Sequence, residues 1–386
     1  MGVTFEFATA QQIIFGEGKA SSIATLAKEL GQCAFVITGR SNPRAQTLLG
    51  EWRSQGFMKE TFTVSGEPTV EDVMKGTDRA REAGCDLIIA IGGGSVIDTG
   101  KAIAALLTNP GDPLDYLEVV GRGQPLRISS APLIAAPTTA GTGAEVTRNA
   151  VLAVPNQQVK VSLRSPTMLP RVALIDPELT YSMPPAITAT TGLDALTQCI
   201  EPYVSNQANP LTDGIAREGI QAAAQSLLPA YYDGSDRIAR SGMAVASLCG
   251  GMALANAKLG AVHGFASVLG GMFPIPHGTA CATLLPHVLA ANVAALKARA
   301  PGSPYLARFH HIAQLVTSDP NATIHDGVKW IQNLCTALQV APLSAFGVTP
   351  LDFDVIIAKS KQASSMKGNP IALSDDELYQ ILSAAL

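Results

Sequence analysis

The sequence predicts a two-domain protein, with an α/β N-terminal domain built on a parallel sheet (residues 1–180) and an all-α C-terminal domain (residues 181–386). The chain has 386 residues, of which 47% are hydrophobic and 15% charged, so it exceeds the roughly 100–200 residues of one ordinary domain. From about residue 33, short β-rich apolar runs alternate with amphipathic stretches. After Pro184 and Pro185 the pattern changes to long Ala- and Leu-rich segments with helical spacing, and this change sets the boundary.

The first half shows the alternation that is typical of βαβ units. The runs CAFVIT, KETFTV and DLIIAI are separated by stretches such as VEDVMKGTDRAREAG, which has the spacing of an amphipathic helix. Parallel strands need crossover helices, so we expect a sheet covered on both faces, with ligands outside the carboxyl ends of its strands. Further strands are predicted at PLIAAP, AVLAVPN, VKVSLRS and VALIDPE.

The two ends of the chain carry different signals. The N-terminal runs VTFEF and QQIIF predict strands, which either pair with a second copy across a two-fold axis to give a homodimer or form an edge within the chain. The second half has almost no strand signal. Its predicted helices span residues 186–204, 210–230, 235–257, 279–296, 322–339 and 373–385.

Composition restricts the partners and the compartment. The formal net charge is −4 and there is no basic run, which argues against nucleic acid or an anionic membrane as the main partner and favours a small-molecule substrate. The N-terminus lacks the pattern of an export signal and no run of about 18 apolar residues follows, so we expect a cytoplasmic protein that does not cross a membrane. The six cysteines form no C-x-x-C pair, which argues against both a disulfide framework and a thiolate metal site.

Two glycine-rich segments predict a dinucleotide site. In IGGGSVIDTGKAIAAL (91–106), three glycines follow a β-run and open a helix, so that backbone N–H groups and the helix dipole face a pyrophosphate. The segment follows the third strand and is not a G-x-G-x-x-G motif, so it is not a standard Rossmann fingerprint. The second segment, APTTAGTGAEVTRNA (136–150), offers hydroxyl groups without bulk. Each segment alone is also compatible with a plain turn.

Four residues of the second half predict a metal site. Asp194 and Gln198 lie four apart on a predicted helix, so both project from one face. His263 and His277 lie in the glycine-rich stretch GAVHGFASVLGGMFPIPHGTACA, although a single buried histidine is more often a packing residue than a ligand. A carboxylate and two imidazoles can hold Zn²⁺ or Fe²⁺ with one position left open for a substrate oxygen.

With these motifs in hand, the sequence resembles the iron-containing (group III) alcohol dehydrogenase family over almost its whole length. The most specific elements are the GGGS-x-x-D-x-x-K run at 92–101, PTTAGTGAEVT at 137–147, the DALT helix start at 194–197, and the two HG pairs at 263–264 and 277–278. The resemblance implies a dehydroquinate synthase-like α/β domain joined to a helical metal-binding domain. It further implies that the dinucleotide contacts Gly93, Gly94, Ser95, Asp98, Thr138, Thr139, Thr142 and Lys160, and that Asp194, His263 and His277 take metal-ligand positions.

The chain departs from the family pattern at two site positions. Iron-dependent members carry a histidine where this chain has Gln198, and many carry another where it has Ser267. An amide is a weaker ligand than an imidazole for first-row metals, which puts the bound metal in doubt. Ser267 removes a candidate proton-relay imidazole, and its hydroxyl is the remaining catalytic candidate for that step beside His263 and His277.

The segment FVITGRSN is expected to lie at the 2′ position of the cofactor ribose. NAD-selective members resemble one another in carrying an acidic residue where this chain has Gly39. Gly39 removes the repulsion of a 2′-phosphate, while Arg40, Ser41 and Asn42 offer donors to it. The segment favours NADP over NAD, but an ordinary solvated turn has the same composition.

The resemblance therefore implies an NAD(P)-dependent alcohol dehydrogenase or aldehyde reductase, in which a divalent metal, Fe or Zn, assists hydride transfer to or from a small alcohol or carbonyl compound. Two alternatives remain open. One is a metal-independent reductase of the maleylacetate type, in which His263 and His277 bind and protonate an anionic substrate. The other is a catalytically silent dinucleotide-binding protein. A lyase like dehydroquinate synthase is disfavoured, because its phosphate-binding basic residues have no counterpart in the sequence.

Overall fold

The computed structural model describes residues 4–40, 42–56, 58–157 and 159–386, and the chain forms two compact units. The sheet unit comprises residues 9–139 and 143–183, and the helical unit comprises 140–142, 184–386 and the described residues before Thr9. The long segment of the helical unit begins at Pro184, and the domain boundary after residue 180 stays a prediction. The assignment of the short segment 140–142 to the helical unit has no counterpart in that prediction.

The sheet unit is built on a parallel sheet, which the described residues form from six strands in the order β1-β8-β5-β4-β2-β3. Its central strands are buried on both faces: Phe35 and Ile37 point into one core and Val36 into the other. The strands are β1 Gln12–Phe15, β2 Ala34–Gly39, β3 Met58–Val64, β4 Leu87–Gly92, β5 Leu133–Pro137, β6 Asn149–Val154, β7 Val159–Arg164 and β8 Val172–Ile175.

Helices on both faces of the sheet supply the crossovers that parallel pairing requires. Helix α3 begins at a capping box, in which Thr69 and Asp72 satisfy each other's backbone N–H groups. Helix α4 begins at Gly94, with Gly93 as its N-cap directly after β4, as the glycine-rich segment predicts. The helices are α1 Ile23–Leu30, α2 Pro43–Ser54, α3 Val70–Glu82, α4 Gly94–Thr108 and the single turn α5 Pro113–Tyr116.

The strands predicted at AVLAVPN and VKVSLRS are confirmed, whereas the strand predicted at VTFEF is wrong for its described residues. The runs AVLAVPN and VKVSLRS form a separate antiparallel ribbon of β6 and β7, not part of the main sheet, because the connection from Val154 to Val159 is too short for a crossover helix. Of VTFEF, the described residues 4–7 form no strand. The QQIIF run does pair within the chain, as β1 alongside β8 at the edge of the sheet.

The second half is helical, as the sequence predicts. Three helices were missed, namely α9, which is rich in glycine, and α11 and α13. Burial of Phe265 and Leu269 explains why α9 forms, because tertiary packing outweighs its low helix propensity. The helices are α6 Pro185–Val204, α7 Pro210–Tyr232, α8 Arg237–Asn256, α9 Ala261–Met272, α10 His277–Arg299, α11 Pro304–Thr317, α12 Ile324–Ala337, α13 Phe353–Gln362 and α14 Asp375–Ala385.

Helices α8 and α10 are long and apolar enough to span a bilayer by length and composition, although neither is an uninterrupted apolar run. Their most apolar windows are 61% and 78% buried inside the protein. This burial is what the core helices of a soluble protein show, so the two helices are weak evidence for a membrane.

Candidate functional site

The structure brings together three of the predicted metal ligands inside the helical unit. The Nε2 atom of His263 lies 3.3 Å from Oδ1 of Asp194, and Nε2 of His277 lies 3.8 Å from the same oxygen. Asp194 and His263 are almost fully buried, whereas 40% of the His277 side chain is exposed. The cluster therefore has one open side, next to His277.

Glycines allow the ligand-bearing helices to approach closely. Helix α10 begins at His277, and a Cβ on the next residue, Gly278, would lie 2.9 Å from the carbonyl oxygen of Thr190 in α6. Gly260, which precedes α9, is similarly pressed against the Glu201 carboxylate, 2.8 Å from the place of a Cβ. A side chain at Gly278 would push α10 away from α6, which carries Asp194, and one at Gly260 would displace the Glu201 carboxylate.

Glu201, which the sequence analysis did not single out, holds His263 in place. Its Oε2 lies 2.6 Å from Nδ1 of His263, and its Oε1 accepts a hydrogen bond of 2.7 Å from the backbone N–H of Val262. A carboxylate on Nδ1 keeps that nitrogen protonated and directs the free lone pair of Nε2 towards Asp194. The signal in the sequence was the spacing, since Glu201 follows Asp194 by two helical turns.

Cys281 is a second residue that the sequence analysis missed. Its Sγ lies 3.8 Å from Nε2 of His263 and 3.7 Å from Nε2 of His277. One ligand atom from each of Asp194, His263, His277 and Cys281 lies within 4.8 Å of the others. Cys281 forms no C-x-x-C pair in the sequence, because its partners in the cluster are two histidines and an aspartate.

The electrostatics of the cluster favour a cation. Burial raises the pKa of Asp194, but the adjacent His277 and His263 outweigh it and hold that pKa below its usual value. Burial lowers the pKa of His263, yet Cys281, Asp194 and Glu201 raise it well above its usual value. Cys281 is the largest cause that raises the pKa of His277 to about 9, against the effect of burial. Without metal, protons take up the negative charge of the cluster.

The cluster fits a divalent metal. Oδ1 of Asp194 is buried and makes no hydrogen bond with acceptable geometry to any described residue, although two imidazole nitrogens lie within 4 Å of it. Bonds of about 2.0–2.3 Å at tetrahedral angles place ligand atoms roughly 3.3–3.6 Å apart. The distances from the two imidazole Nε2 atoms to Asp194 and to Cys281, 3.3–3.8 Å, are close to these values, and the donors are those that Zn²⁺ and Fe²⁺ prefer.

Gln198 and Ser267, the two departures from the family pattern, differ in their surroundings. Oε1 of Gln198 is buried without a hydrogen-bond partner among the described residues and lies 3.5 Å from the place of a Cβ on Gly250 in α8. The Ser267 hydroxyl is bonded to the backbone, donating to the carbonyl of Gly264 at 3.1 Å.

Most of the predicted cofactor residues gather in the sheet unit. Strands β2, β4 and β5 are neighbours and end at Gly39, Gly92 and Pro137, so Gly93, Gly94 and Ser95 begin α4 beside Thr138 and Thr139. The backbone N–H of Thr138 donates to the carbonyl of Gly92 at 2.9 Å. A Cβ on Gly93 would lie 3.4 Å from the Thr139 side chain, so the two glycine-rich segments are in contact.

Three further candidates lie elsewhere or are engaged. Asp98 accepts a 3.0 Å hydrogen bond from the backbone of Val151 and forms a 3.0 Å ion pair with the fully buried Lys101, which joins α4 to the β6–β7 ribbon. Lys160 forms an ion pair of 3.3 Å with Glu67. Thr142 belongs to the short segment assigned to the helical unit.

The segment predicted to meet the ribose 2′ position is described in part. Gly39 ends β2, and Arg40 follows as an exposed residue; Ser41 lies outside the described residues. The Asn42 side chain is used locally, since it accepts from the backbone N–H of Ala45 and donates to the carbonyl of Leu179. Arg40, Ser41 and Asn42 were the donors expected at a 2′-phosphate. Among the two that the structure describes, Asn42 is bonded locally and Arg40 is exposed.

Comparison with known families gives a match along nearly the whole chain. The model of the iron-containing alcohol dehydrogenase family matches residues 10–177. The model of the C-terminal region of the Fe-containing alcohol dehydrogenase family matches residues 188–386.

Individual relatives agree with these models. The chain is 37% identical to alcohol dehydrogenase 4 of Saccharomyces cerevisiae, over 82% of this chain and 80% of the relative. It is 38% identical to the 1,3-propanediol dehydrogenase of Citrobacter freundii, over 75% and 76%. A crystal structure of a 1,3-propanediol oxidoreductase superimposes with a TM-score of 0.90 at 32% identity, covering both chains completely. A sulfoacetaldehyde reductase from Bifidobacterium kashiwanohense, solved with NAD⁺, superimposes with a TM-score of 0.88 at 28% identity, over 100% of this chain and 99% of that one.

Proposed function

This chain belongs to the iron-containing alcohol dehydrogenase family and is a nicotinamide-dependent alcohol dehydrogenase, and we propose that its helical domain, residues 181–386, holds a catalytic divalent metal on Asp194, His263 and His277. The observation that carries the proposal is the convergence of these buried donors around an Asp194 oxygen that makes no hydrogen bond to the described residues. Gln198, one helical turn after Asp194 on α6, offers its neutral amide oxygen as an additional candidate donor to the metal. When bound, the metal supplies Lewis-acid polarisation of the substrate oxygen, and the nicotinamide carries the hydride.

The protein's own part at the metal is to hold the ligands and exclude water. Glu201 fixes the tautomer of His263, so that its Nε2 is a free donor. Burial of Asp194 and His263 strengthens their interactions with a cation, because few water molecules screen them. The exposed edge of His277 is the side from which a small alcohol or aldehyde enters. Ser267 is the proposed relay that passes the substrate proton to water, for which its hydroxyl must leave the Gly264 carbonyl.

In the proposed N-terminal domain, residues 1–180, the glycine-rich segments bind the dinucleotide. Gly93, Gly94 and Ser95 present backbone N–H groups at the start of α4 to the pyrophosphate, and Thr138, Thr139 and Thr142 line the cofactor. Lys101 and Asp98 support this turn by tying α4 to the β6–β7 ribbon. Lys160 approaches the nicotinamide ribose by exchanging its ion pair with Glu67.

We propose NADP(H) as the preferred cofactor. Gly39 at the end of β2 leaves no carboxylate to repel a 2′-phosphate, and the exposed Arg40 offers a charge-assisted bond to it. We further propose a cytoplasmic homodimer in which β1, an edge strand of the sheet, lies near the interface. Light scattering on the eluting protein tests the dimer, for which twice the chain mass of 40.1 kDa is expected.

The test of the proposed function combines elemental analysis with turnover. Protein purified without chelator is assayed for Zn and Fe, and for oxidation of NADPH and NADH with a panel of small aldehydes. Near-stoichiometric metal together with chelator-sensitive turnover is the expected result. Full activity in metal-free protein would overturn the metal site and move the assignment to a maleylacetate-type reductase, and tight dinucleotide binding without any turnover would indicate a silent binding protein.

A further inference from the structure

Cys281 belongs to the proposed metal cluster, although neither the family pattern nor the spacing of the cysteines predicts it as a ligand. We propose that Cys281 binds the metal as a thiolate and replaces the imidazole that this chain lacks at Gln198. This inference rests on the proposed metal site. It assigns the fourth protein ligand of that site and the kind of metal it selects.

The sulfur lies at the distance from the imidazole nitrogens that two ligand atoms of one metal ion have from each other. Sγ of Cys281 lies 3.8 Å from Nε2 of His263 and 3.7 Å from Nε2 of His277, which is close to the roughly 3.5 Å expected between a sulfur and a nitrogen on one tetrahedral metal ion. Oδ1 of Asp194 completes the same group of atoms. The four ligands come from three helices, and His277 and Cys281 lie one turn apart on α10.

Two other buried thiols of the helical unit, Cys199 and Cys335, behave differently. Cys199 donates its S–H to the backbone carbonyl of Ala246, and Cys335 donates to that of Ala282, as structural cysteines do. Cys281 is also fully buried, but its sulfur contacts the Nε2 atoms of two imidazoles. Nε2 of His263 is the nitrogen that Glu201 leaves free to bind a metal.

The donor set selects the metal. One carboxylate and one thiolate balance the charge of a divalent ion, whereas an aspartate with three imidazoles leaves it with a net positive charge. A metal-bound thiol loses its proton. Because thiolate is a soft ligand and zinc accepts it in tetrahedral geometry, the site is suited to Zn²⁺ more than to Fe²⁺. When bound, the metal would be held by these four side chains and would polarise the oxygen of a substrate that approaches from the exposed side of His277.

The test is spectroscopic and does not depend on turnover. X-ray absorption at the zinc edge of the wild-type holoenzyme is expected to show one sulfur neighbour at about 2.3 Å. Replacement of the metal by Co²⁺ is expected to give a near-ultraviolet sulfur-to-cobalt charge-transfer band. Cys281→Ser should abolish both signals and weaken zinc affinity by at least about 100-fold, since even supporting residues outside the ligand set cost 10–100-fold. Cys335→Ser is the matched control and should keep both signals, because Cys335 is a buried thiol of α12 that contacts α10, the helix of Cys281, at the Ala282 carbonyl.

The outcomes separate this inference from the proposed function. Stoichiometric metal with nitrogen and oxygen neighbours but no sulfur would overturn the Cys281 assignment and leave the metal-dependent dehydrogenase intact. Protein that binds no metal in a chelator-competition titration and is fully active would overturn both. The spectrum of the wild-type enzyme decides the matter even if Cys281→Ser does not fold.

Discussion

The imidazole Nδ1 of His263 and the carboxylate Oε2 of Glu201 lie 2.6 Å apart, and both side chains are about 95% buried. Glu201 has no place among the metal ligands, yet it determines which nitrogen of His263 faces them. Its second oxygen accepts a hydrogen bond from the backbone N–H of Val262, in the first turn of α9. The same carboxylate therefore orients the imidazole and the helix that carries it.

Glu201→Gln tests this orienting role. The amide keeps the shape and can still accept from Nδ1, but it lacks the negative charge that makes the imidazole a stronger donor. We expect metal affinity to fall about 10–100-fold, with little change in thermal stability. Competition with a chromogenic chelator measures the affinity, and an unchanged value would show that Glu201 serves only in packing.

Gln198→His tests the family departure in α6. An imidazole at this position restores the donor of the iron-dependent members, and we expect Fe²⁺ affinity to rise by at least about tenfold, the lower end of the effect of a single group at a metal site. Gln198→Leu is the control, because it keeps the volume and removes the amide whose Oε1 is unpaired among the described residues. If Cys281 is the fourth ligand, Gln198→Leu leaves zinc affinity unchanged, whereas a marked loss would identify Gln198 as a ligand.

Gly39→Asp tests the cofactor preference. A Cβ at Gly39 would meet only the Val96 side chain, at an ordinary 3.8 Å, so the backbone at this position accepts a side chain. The new carboxylate repels a 2′-phosphate and binds a 2′-hydroxyl, and we expect the ratio of kcat/KM for NADPH over NADH to fall at least about tenfold, which corresponds to about 1.4 kcal/mol.

Arg40→Ala is the companion variant for the same ratio. It should weaken turnover with NADPH and leave turnover with NADH nearly unchanged, since the guanidinium is proposed to bind only the phosphate. Equal losses with both cofactors would refute the NADP(H) preference.

Glu145 is predicted to make the sheet unit less stable as the pH rises. Burial raises the pKa of this fully buried carboxyl to about 7, although Lys101 acts in the opposite direction. Between its usual value of 4.5 and about 7 the folded protein binds one proton more than the unfolded chain. Stability is therefore lost across that window and, above pH 7, the loss reaches about 3 kcal/mol.

Glu145→Gln removes this titration, because the amide stays neutral. The variant should match the wild type near pH 4 and have a Tm higher by roughly 5–10 °C at pH 8. Thermal melts followed by circular dichroism between pH 4 and pH 8 measure the difference. Glu118→Gln, at a half-exposed carboxylate, is the control and should show no such trend; a pH-independent gain in Glu145→Gln would contradict the prediction.

Local patterns in the sequence predicted one part of the proposed site. The glycine-rich turn was found because it follows an apolar strand and opens a helix, and Asp194, His263 and His277 because their chemistry and setting are unusual. Glu201 and Cys281 were not found, because their roles arise only when α6, α9 and α10 meet. Glutamate and single cysteines are common in helices, so the spacing of Glu201, two turns after Asp194 on α6, does not by itself mark it as part of a site, and Cys281 has no such spacing signal.

The same distinction holds for the fold. Strands β4 and β5 are fully buried and β2 is buried up to Thr38, so their apolar runs were visible in the sequence. The β6–β7 ribbon was predicted as two strands but not as a separate sheet, because pairing depends on the length of the connection and on the surroundings more than on the runs themselves. Helix α9 was missed because its glycines serve close approach and its stability comes from packing.

The proposed metal ligands are scattered along the chain but meet on three helices, α6, α9 and α10. In the unfolded chain nothing holds them together, so an ion bound by all of them acts as a reversible cross-link of the folded state. At a free concentration 100 times its Kd, such an ion adds about 2.7 kcal/mol to the free energy of unfolding by mass action. The zinc available in the cell would then set the lifetime of the protein as well as its activity.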